Sequence, residues 1–460
     1  MIAPARSAAF QILLKIEQNA GHCDELLRSP LVDRRSQADR NLCTTLVMGT
    51  LRWQIALDSR INALLARPDT RLEDEVRIAL RLGVFQMLYL DRIPDHAAVM
   101  DSVELVKQTG QGFASGMVNA VLRKIAVAPP VELPETFANA GELAAAYAHP
   151  AWMVERWVTR YGIESAAAIC RFDQQPPPTT VRLVGEGSEA ALLAEGIELA
   201  PGAFLTRARR VVQGDVTATV TYREGGVRIQ DENSQLVAEL AGRGENILDC
   251  CAAPGGKTAI LAERNPKSSL LACDVSRRRL DEMRGMLRNP RGARISYEAV
   301  DAARLPYEGV FDLILCDVPC SGTGTIARNP EIRHRLDPAE FPRQHSRQVA
   351  ILLAALRALK PGGRLVYASC SLEPEENEAV IQDCLSGRPE FAEVGLEQRV
   401  EALIAEGSMH EGSATGILEK GHLRTIPGVH PGDGFFAAMI ERKVEAASAV
   451  KATRRVRSSV

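Results

Sequence analysis

From about residue 228 to residue 443, short apolar segments alternate with helical ones. This alternation constrains the fold more than any other feature of the chain. Strands are expected over 246–250, 270–273, 295–300, 311–316 and 364–368. Short apolar strands separated by helices form a mostly parallel sheet with helices on both faces. The segment 435–441 supplies a late strand, expected to pair antiparallel. In such a sheet, ligands sit beyond the carboxyl ends of the strands. The residues that follow each strand are therefore the ones to inspect.

The rest of the chain reads differently. Residues 1–130 look all-helical, with Trp53, Leu57, Ile61, Leu64 and Leu65 near helical spacing. The run 76–90 is apolar almost all round, as in a central buried helix, but it contains Arg77 and Arg81. It is too short and too charged to span a membrane. Pro129, Pro130 and Pro134 mark a break. Residues 140–227 read as a small domain of mixed α+β structure. A helix is expected over 142–162, then short strands near 180–184, 203–206 and 217–222. The basic cluster Arg207, Arg209 and Arg210 reads either as a phosphate contact or as a solvated turn. The α/β domain spans 228–443. The tail 444–460 is basic, lacks apolar periodicity and is expected to be disordered.

Composition narrows the class without choosing a function. With 55 basic and 58 acidic residues the net charge is −3, so any nucleic-acid contact must come from local patches. Ten cysteines occur without a C-x-x-C pair, which argues against a zinc knuckle or a thioredoxin-like site. A core of this size needs no disulfides. The N-terminus lacks a secretory pattern. These features point to a soluble cytoplasmic protein with no metal and no membrane partner, expected to be a monomer.

The chemistry lies at the strand ends. After the first strand comes Asp249-Cys250-Cys251-Ala252-Ala253-Pro254-Gly255-Gly256-Lys257-Thr258, then an apolar helix. The glycines let backbone approach a ligand, and the helix start offers free N–H groups. The pattern is neither G-x-G-x-x-G nor a P-loop, so it argues against a dinucleotide and against ATP. It suits a cofactor bearing a carboxylate. Asp274, 18 residues beyond Gly256, ends the second strand, where it can accept from ribose hydroxyls. Asp301 follows the third strand and can accept from an adenine amino group. Asp274 reads equally as an N-cap, and Asp301, taken alone, reads first as a cap or turn residue.

The fourth strand ends in Asp317-Val318-Pro319-Cys320-Ser321-Gly322 and the fifth in Ser369-Cys370-Ser371. A single cysteine is usually a small buried hydrophobe. Two at matching positions beyond strands expected to be neighbours are a constellation. One thiolate can act as nucleophile and the other thiol can move a proton. That pair suits methylation of an unactivated pyrimidine carbon. Cytosine C5 becomes nucleophilic only after a thiolate adds at C6, and the C5 proton must leave before the thiolate is expelled. Asp317 could hold or protonate N3. The residues alone leave open which cysteine attacks.

These motifs resemble the RsmB/Sun branch of the NOL/NOP2/Sun family of RNA cytosine-5 methyltransferases. The likeness rests on 251–257, on 317–324, on 367–371 with its acidic follow-on, on 230–235 and on 433–436. The segments 49–53, 80–83, 92–94 and 118–123, with Arg40, resemble the NusB-like domain of the bacterial members. The resemblance implies a Rossmann-like class I methyltransferase domain and S-adenosylmethionine as cofactor. Cys251, Ala252, Ala253, Pro254, Gly255, Gly256 and Lys257 would cradle it, with Asp274 on the ribose, Asp301 near adenine and Asp317 at the junction with the base. It implies Cys370 as nucleophile, Cys320 assisting release, and a cytidine in small-subunit (16S) ribosomal RNA as substrate. Two departures stand out: His334 replaces an aromatic and Val184 replaces an Asn. The competing readings are a tRNA cytosine-5 methyltransferase, a methyltransferase acting on nitrogen or oxygen, and a mainly RNA-binding NusB-like assembly factor.

Overall fold

The protein is described from a computed structural model, over residues 2–67, 71–129, 133–134, 136–287 and 292–444. The basic tail beyond Val444 and Pro130 lie outside the described residues. The chain divides into two compact units. One comprises 1–178, 322–337 and 426–433; the other comprises 179–321, 338–425 and 434–460.

The first unit is helical. Its main elements are Pro4–Glu17, Gln37–Leu64, Asp74–Tyr89, Asp95–Gln108, Ser115–Ala126 and Ala151–Asp173. Asp74–Tyr89 is the central buried helix, with Val76, Ile78, Leu80, Leu82 and Val84 in the core. It carries Arg81 inside by pairing it. Arg81 meets Asp58 at 2.7 Å and Glu17 at 2.9 Å. Buried charges persist only when partnered in this way. The helix expected over 142–162 is split into Ala140–Ala146 and the first part of Ala151–Asp173, which breaks at Gly162 (φ 81°, ψ 163°), where the expected helix ends. Pro150 precedes the second, and Ala148 adopts φ 51° between them. A proline at that point cannot continue a helix but starts one well.

The second unit contains two sheets. The smaller has strands β1 (Thr180–Leu183), β2 (Glu198–Pro201), β3 (Ala208–Gln213) and β4 (Val227–Ile229), all antiparallel in the order β2-β3-β1-β4. The strand expected near 180–184 is present. Those expected over 203–206 and 217–222 are not. The amides of Ala203, Phe204 and Leu205 all donate to the Glu232 carboxylate, at 2.8, 2.7 and 2.8 Å, so no ladder can use them. Residues 217–222 turn helical because the Asp215 side chain caps Thr217 N–H and the Thr219 hydroxyl accepts from Tyr222 N–H. In the basic cluster, Arg209 is engaged by Glu189 at 2.5 Å.

The larger sheet contains β5 (Asn246–Asp249), β6 (Ser269–Asp274), β7 (Arg294–Ala299), β8 (Phe311–Asp317), β9 (Leu359–Ser369), β10 (Phe391–Val394), β11 (Leu418–Glu419), β12 (His422–Thr425) and β13 (Phe435–Arg442). The order is β7-β6-β5-β8-β9-β13-β12-β11, with β10 also on β13. The five expected strands form the parallel portion. The late strand β13 pairs antiparallel with β9, as its position suggested. Strand order reverses between β5 and β8, which opens the crevice where such sheets bind ligands.

Candidate active site

The parallel register of β8 and β9 places Asp317 opposite Ala368. Both strands stop at this edge. Three residues after Asp317 and two after Ala368, the chain presents Cys320 and Cys370. Their sulfurs lie 3.0 Å apart. Both residues are half-buried. All ten cysteines are free, and most belong to the core, as Cys250 and Cys316 do. The Cys320 thiol is held well above the ordinary thiol range by its hydrogen bond to Cys370, then by burial, then by the negative charge that Cys370 and Glu376 can carry.

The glycine loop sits beside this pair. Gly255 has φ 106°, and a side chain there would run into Met283. It caps the helix Gly256–Arg264, whose first amides have no partner within the helix. A Cβ at Gly256 would press on the Gln230 side chain, 3.1 Å away. Ala252 N–H donates to Cys273 O at 2.7 Å, and Arg279 donates to Ala253 O at 2.7 Å. The loop is thereby tied to β6 and to the helix that follows it.

Lys257 leads from the loop to the reacting edge. Its ammonium lies 2.7 Å from Asp317 and 5.1 Å from the centre of the Phe435 ring. Burial would push the lysine pKa down. The Asp317 carboxylate outweighs this, and Cys370 and Asp249 add to it, so the ammonium is held charged. Asp249, fully buried at the end of β5, accepts from the Thr258 hydroxyl at 2.7 Å. Burial raises its pKa to about 7 despite that hydrogen bond.

The two acids proposed for an adenosine moiety are also caps. Asp274 is buried at the end of β6 and accepts from Ser276 N–H at 2.8 Å, with Arg279 3.4 Å away. Asp301 accepts from Ala303 N–H at 3.0 Å and is otherwise exposed. A cap uses only part of a carboxylate's acceptor capacity. Sequence reasoning gave no role to Ser321, Gln348, Ser371 and Glu376, which are hydrogen-bonded to one another across the two thiol loops. A serine directly after each cysteine was the available signal. Among the described residues, no group of three or more His, Cys, Asp or Glu is arranged to hold a metal ion, and no helix is long and apolar enough to cross a membrane.

Comparison with known proteins places this geometry in context. Residues 239–441 match the family described as 16S rRNA methyltransferase RsmB/F, residues 3–127 the NusB family, and residues 149–211 the RsmF/B-like ferredoxin-like domain. A Bacillus subtilis protein named probable ribosomal RNA small subunit methyltransferase B is 33% identical, over 95% of this chain and 98% of its own. The chain belongs to this methyltransferase family. An Escherichia coli relative, ribosomal RNA small subunit methyltransferase B, is likewise 33% identical over 95% of this chain and 98% of its own. The crystal structure of PH0851 shares the fold, with a TM-score of 0.78 at 24% identity over 96% of this chain and 99% of that one. As an RsmB/F-type protein the chain is a methyltransferase, with a NusB-like helical region ahead of a Rossmann-like domain.

Proposed function

We propose that this enzyme forms 5-methylcytidine in small-subunit ribosomal RNA, using S-adenosylmethionine and a covalent thiol adduct at C6. The observation that carries the reading is the pair of sulfurs 3.0 Å apart at the β8–β9 edge, beside the Lys257–Asp317 ion pair. A methyltransferase acting on nitrogen or oxygen has no use for such a pair. The substrate class follows the relatives, which are named for the small-subunit ribosomal RNA.

The glycine loop fits the proposed cofactor. Free helix amides at Gly256 and Lys257 suit its carboxylate, and Asp274 retains acceptor capacity for a ribose. Cys251 to Lys257 would line it, with Asp301 beyond the adenine. Bound there, S-adenosylmethionine supplies a methyl group on a sulfonium, activated towards a carbon nucleophile.

The chain's own residues do the rest. The target base must leave any stack to reach the thiols. Cys370 adds to C6 as its thiolate. Asp317 would hold or protonate N3, offsetting the charge that develops on addition. Addition makes C5 the nucleophile. Once methylated, C5 must lose its proton, and Cys320 is the group at hand. Its high pKa comes first from the hydrogen bond to Cys370. Bonding the Cys370 sulfur to C6 removes that hydrogen bond and the Cys370 charge, which favours loss of the Cys320 proton to solvent, and the Cys320 thiolate can then take the C5 proton. Loss of the C5 proton to Cys320 then expels Cys370 as thiolate.

Transfer of labelled methyl to undermethylated small-subunit ribosomal RNA and to tRNA, followed by nucleoside analysis, tests the reading. Label as 5-methylcytidine in the ribosomal RNA is expected. Label confined to tRNA would overturn the substrate, and label on a nitrogen or oxygen would overturn the chemistry. Cys370→Ala should abolish transfer. Cys320→Ala should accumulate a covalent protein–RNA band on denaturing gels; its absence under binding conditions would remove these roles.

A further inference from the structure

The two thiols lie on separate loops, each leaving a different strand. Something must set their spacing. Glu376 is fully buried in the turn Pro374–Glu376, just beyond the Cys370 loop. One of its carboxylate oxygens accepts from the Ser321 amide at 2.8 Å and from Gln348 Nε2 at 3.0 Å. The other accepts from the Ser371 hydroxyl at 2.5 Å and from the Ser321 hydroxyl. Ser321 directly follows Cys320, and Ser371 directly follows Cys370. Gln348 also donates to Pro319 O at 3.0 Å, on the Cys320 side. The turn bearing Glu376 is fixed in its own right, because Tyr367 from β9 donates to Glu376 O at 2.6 Å.

We propose that Glu376 is the positioning residue of the dithiol site, clamping the residue after each cysteine so that the sulfurs meet. The proposal deepens the two-thiol reading and rests on it for the catalytic consequence, but not for the geometry. A buried carboxylate with four donors is a stiff joint, because each lost bond leaves a buried group unsatisfied. The clamp touches neither cofactor nor base, so it acts through Cys320 and Cys370.

Phenylarsine oxide reads the spacing without catalysis. It binds two thiols at once, forming two As–S bonds and releasing water with both thiol protons. The full-length parent should capture it, and Cys320→Ala should not. Glu376→Ala should weaken capture about tenfold, the scale of a lost buried hydrogen bond or two. It should lower kcat about a hundredfold, the cost of a misplaced reacting group. The RNA KM and the dissociation constant for S-adenosylmethionine should be unchanged. Glu376→Gln should restore most of both, since its carbonyl still accepts from the Ser321 amide and its NH2 can donate to the serine hydroxyls.

Parent-like capture and turnover in Glu376→Ala would overturn the proposal. So would cofactor affinity falling in step with kcat, which marks a general loss of fold. Weakened capture with unchanged turnover would support the clamp and overturn the two-thiol reaction instead. If Glu376→Ala is insoluble, the Ser321→Ala/Ser371→Ala double variant removes both hydroxyl links and should show the same loss of capture.

Discussion

At the scale of single residues, the strand-end chemistry was visible in the sequence and its supports were not. Asp317, Cys320, Lys257 and Cys370 announce themselves because their types are chemically loud at strand ends. Ser321, Ser371 and Glu376 are ordinary polar residues whose role depends on which atoms they meet. His334 makes the same point. In the sequence it is a departure from an aromatic. In the structure it is a half-buried neutral ring, its Nε2 2.7 Å from Leu51 O. Burial lowers its pKa from the ordinary 6.5 to about 3, with Arg333, Arg81 and His149 adding to the effect. The folded pKa lies below the unfolded one, so the unfolded chain binds more protons between those values. The stability that His334 contributes is present above pH 6.5 and is lost as pH falls towards 3. His334→Phe should therefore show a shallower loss of urea midpoint between pH 7 and pH 5 than the parent. An identical slope in both proteins would show that His334 is not the titrating group.

At the scale of elements, periodicity located the five parallel strands and the helical N-terminus because both are regular. It failed in the middle sheet, where two expected strands are turns. There, Glu232, Asp215 and Thr219 satisfy backbone amides that a ladder would have used. Periodicity reads apolar faces, whereas side-chain capping is decided by a few polar atoms. The helix Gln37–Leu64 offers a test of packing. It carries Gly49 in its interior, where helix propensity is poor. A Cβ there would lie 1.9 Å from the Phe85 ring, so the glycine is a contact surface for the central helix. Gly49→Ala should destabilise the protein by about 1–3 kcal/mol through overpacking, despite its better propensity. A higher urea midpoint for this variant would show that propensity outweighs the contact.

At the scale of the whole molecule, chain order and packing disagree in one respect. Residues 322–337 follow the Cys320 loop and fall within the methyltransferase family match, yet they belong to the helical unit. Arg333 is buried there and donates to the carbonyls of Arg52, Ala148 and Asp173 at 3.2, 3.4 and 3.4 Å. Burial lowers its pKa to about 10, although Asp173 opposes the shift. Glu331 accepts from Cys23 N–H at 3.0 Å, and Arg52 donates to Ala327 O at 2.8 Å. A chain lacking residues 1–178 would strip every one of these partners from the segment. Limited proteolysis should then cut within 322–337, where the full chain resists. Equal protection in both would show that the segment holds itself. The strand–helix alternation, the acids and thiols at strand ends and the helical N-terminus were all written in local residue pattern, because hydrophobic period and residue chemistry act over a few positions. The 3.0 Å meeting of Cys320 and Cys370, the Glu376 clamp and the lodging of 322–337 among distant helices were not. Their links from Cys320 to Cys370, from Ser321 to Glu376 and from Arg333 to Arg52 join residues 50 or more positions apart, and long-range contacts arise from packing a whole chain rather than from the pattern of any segment.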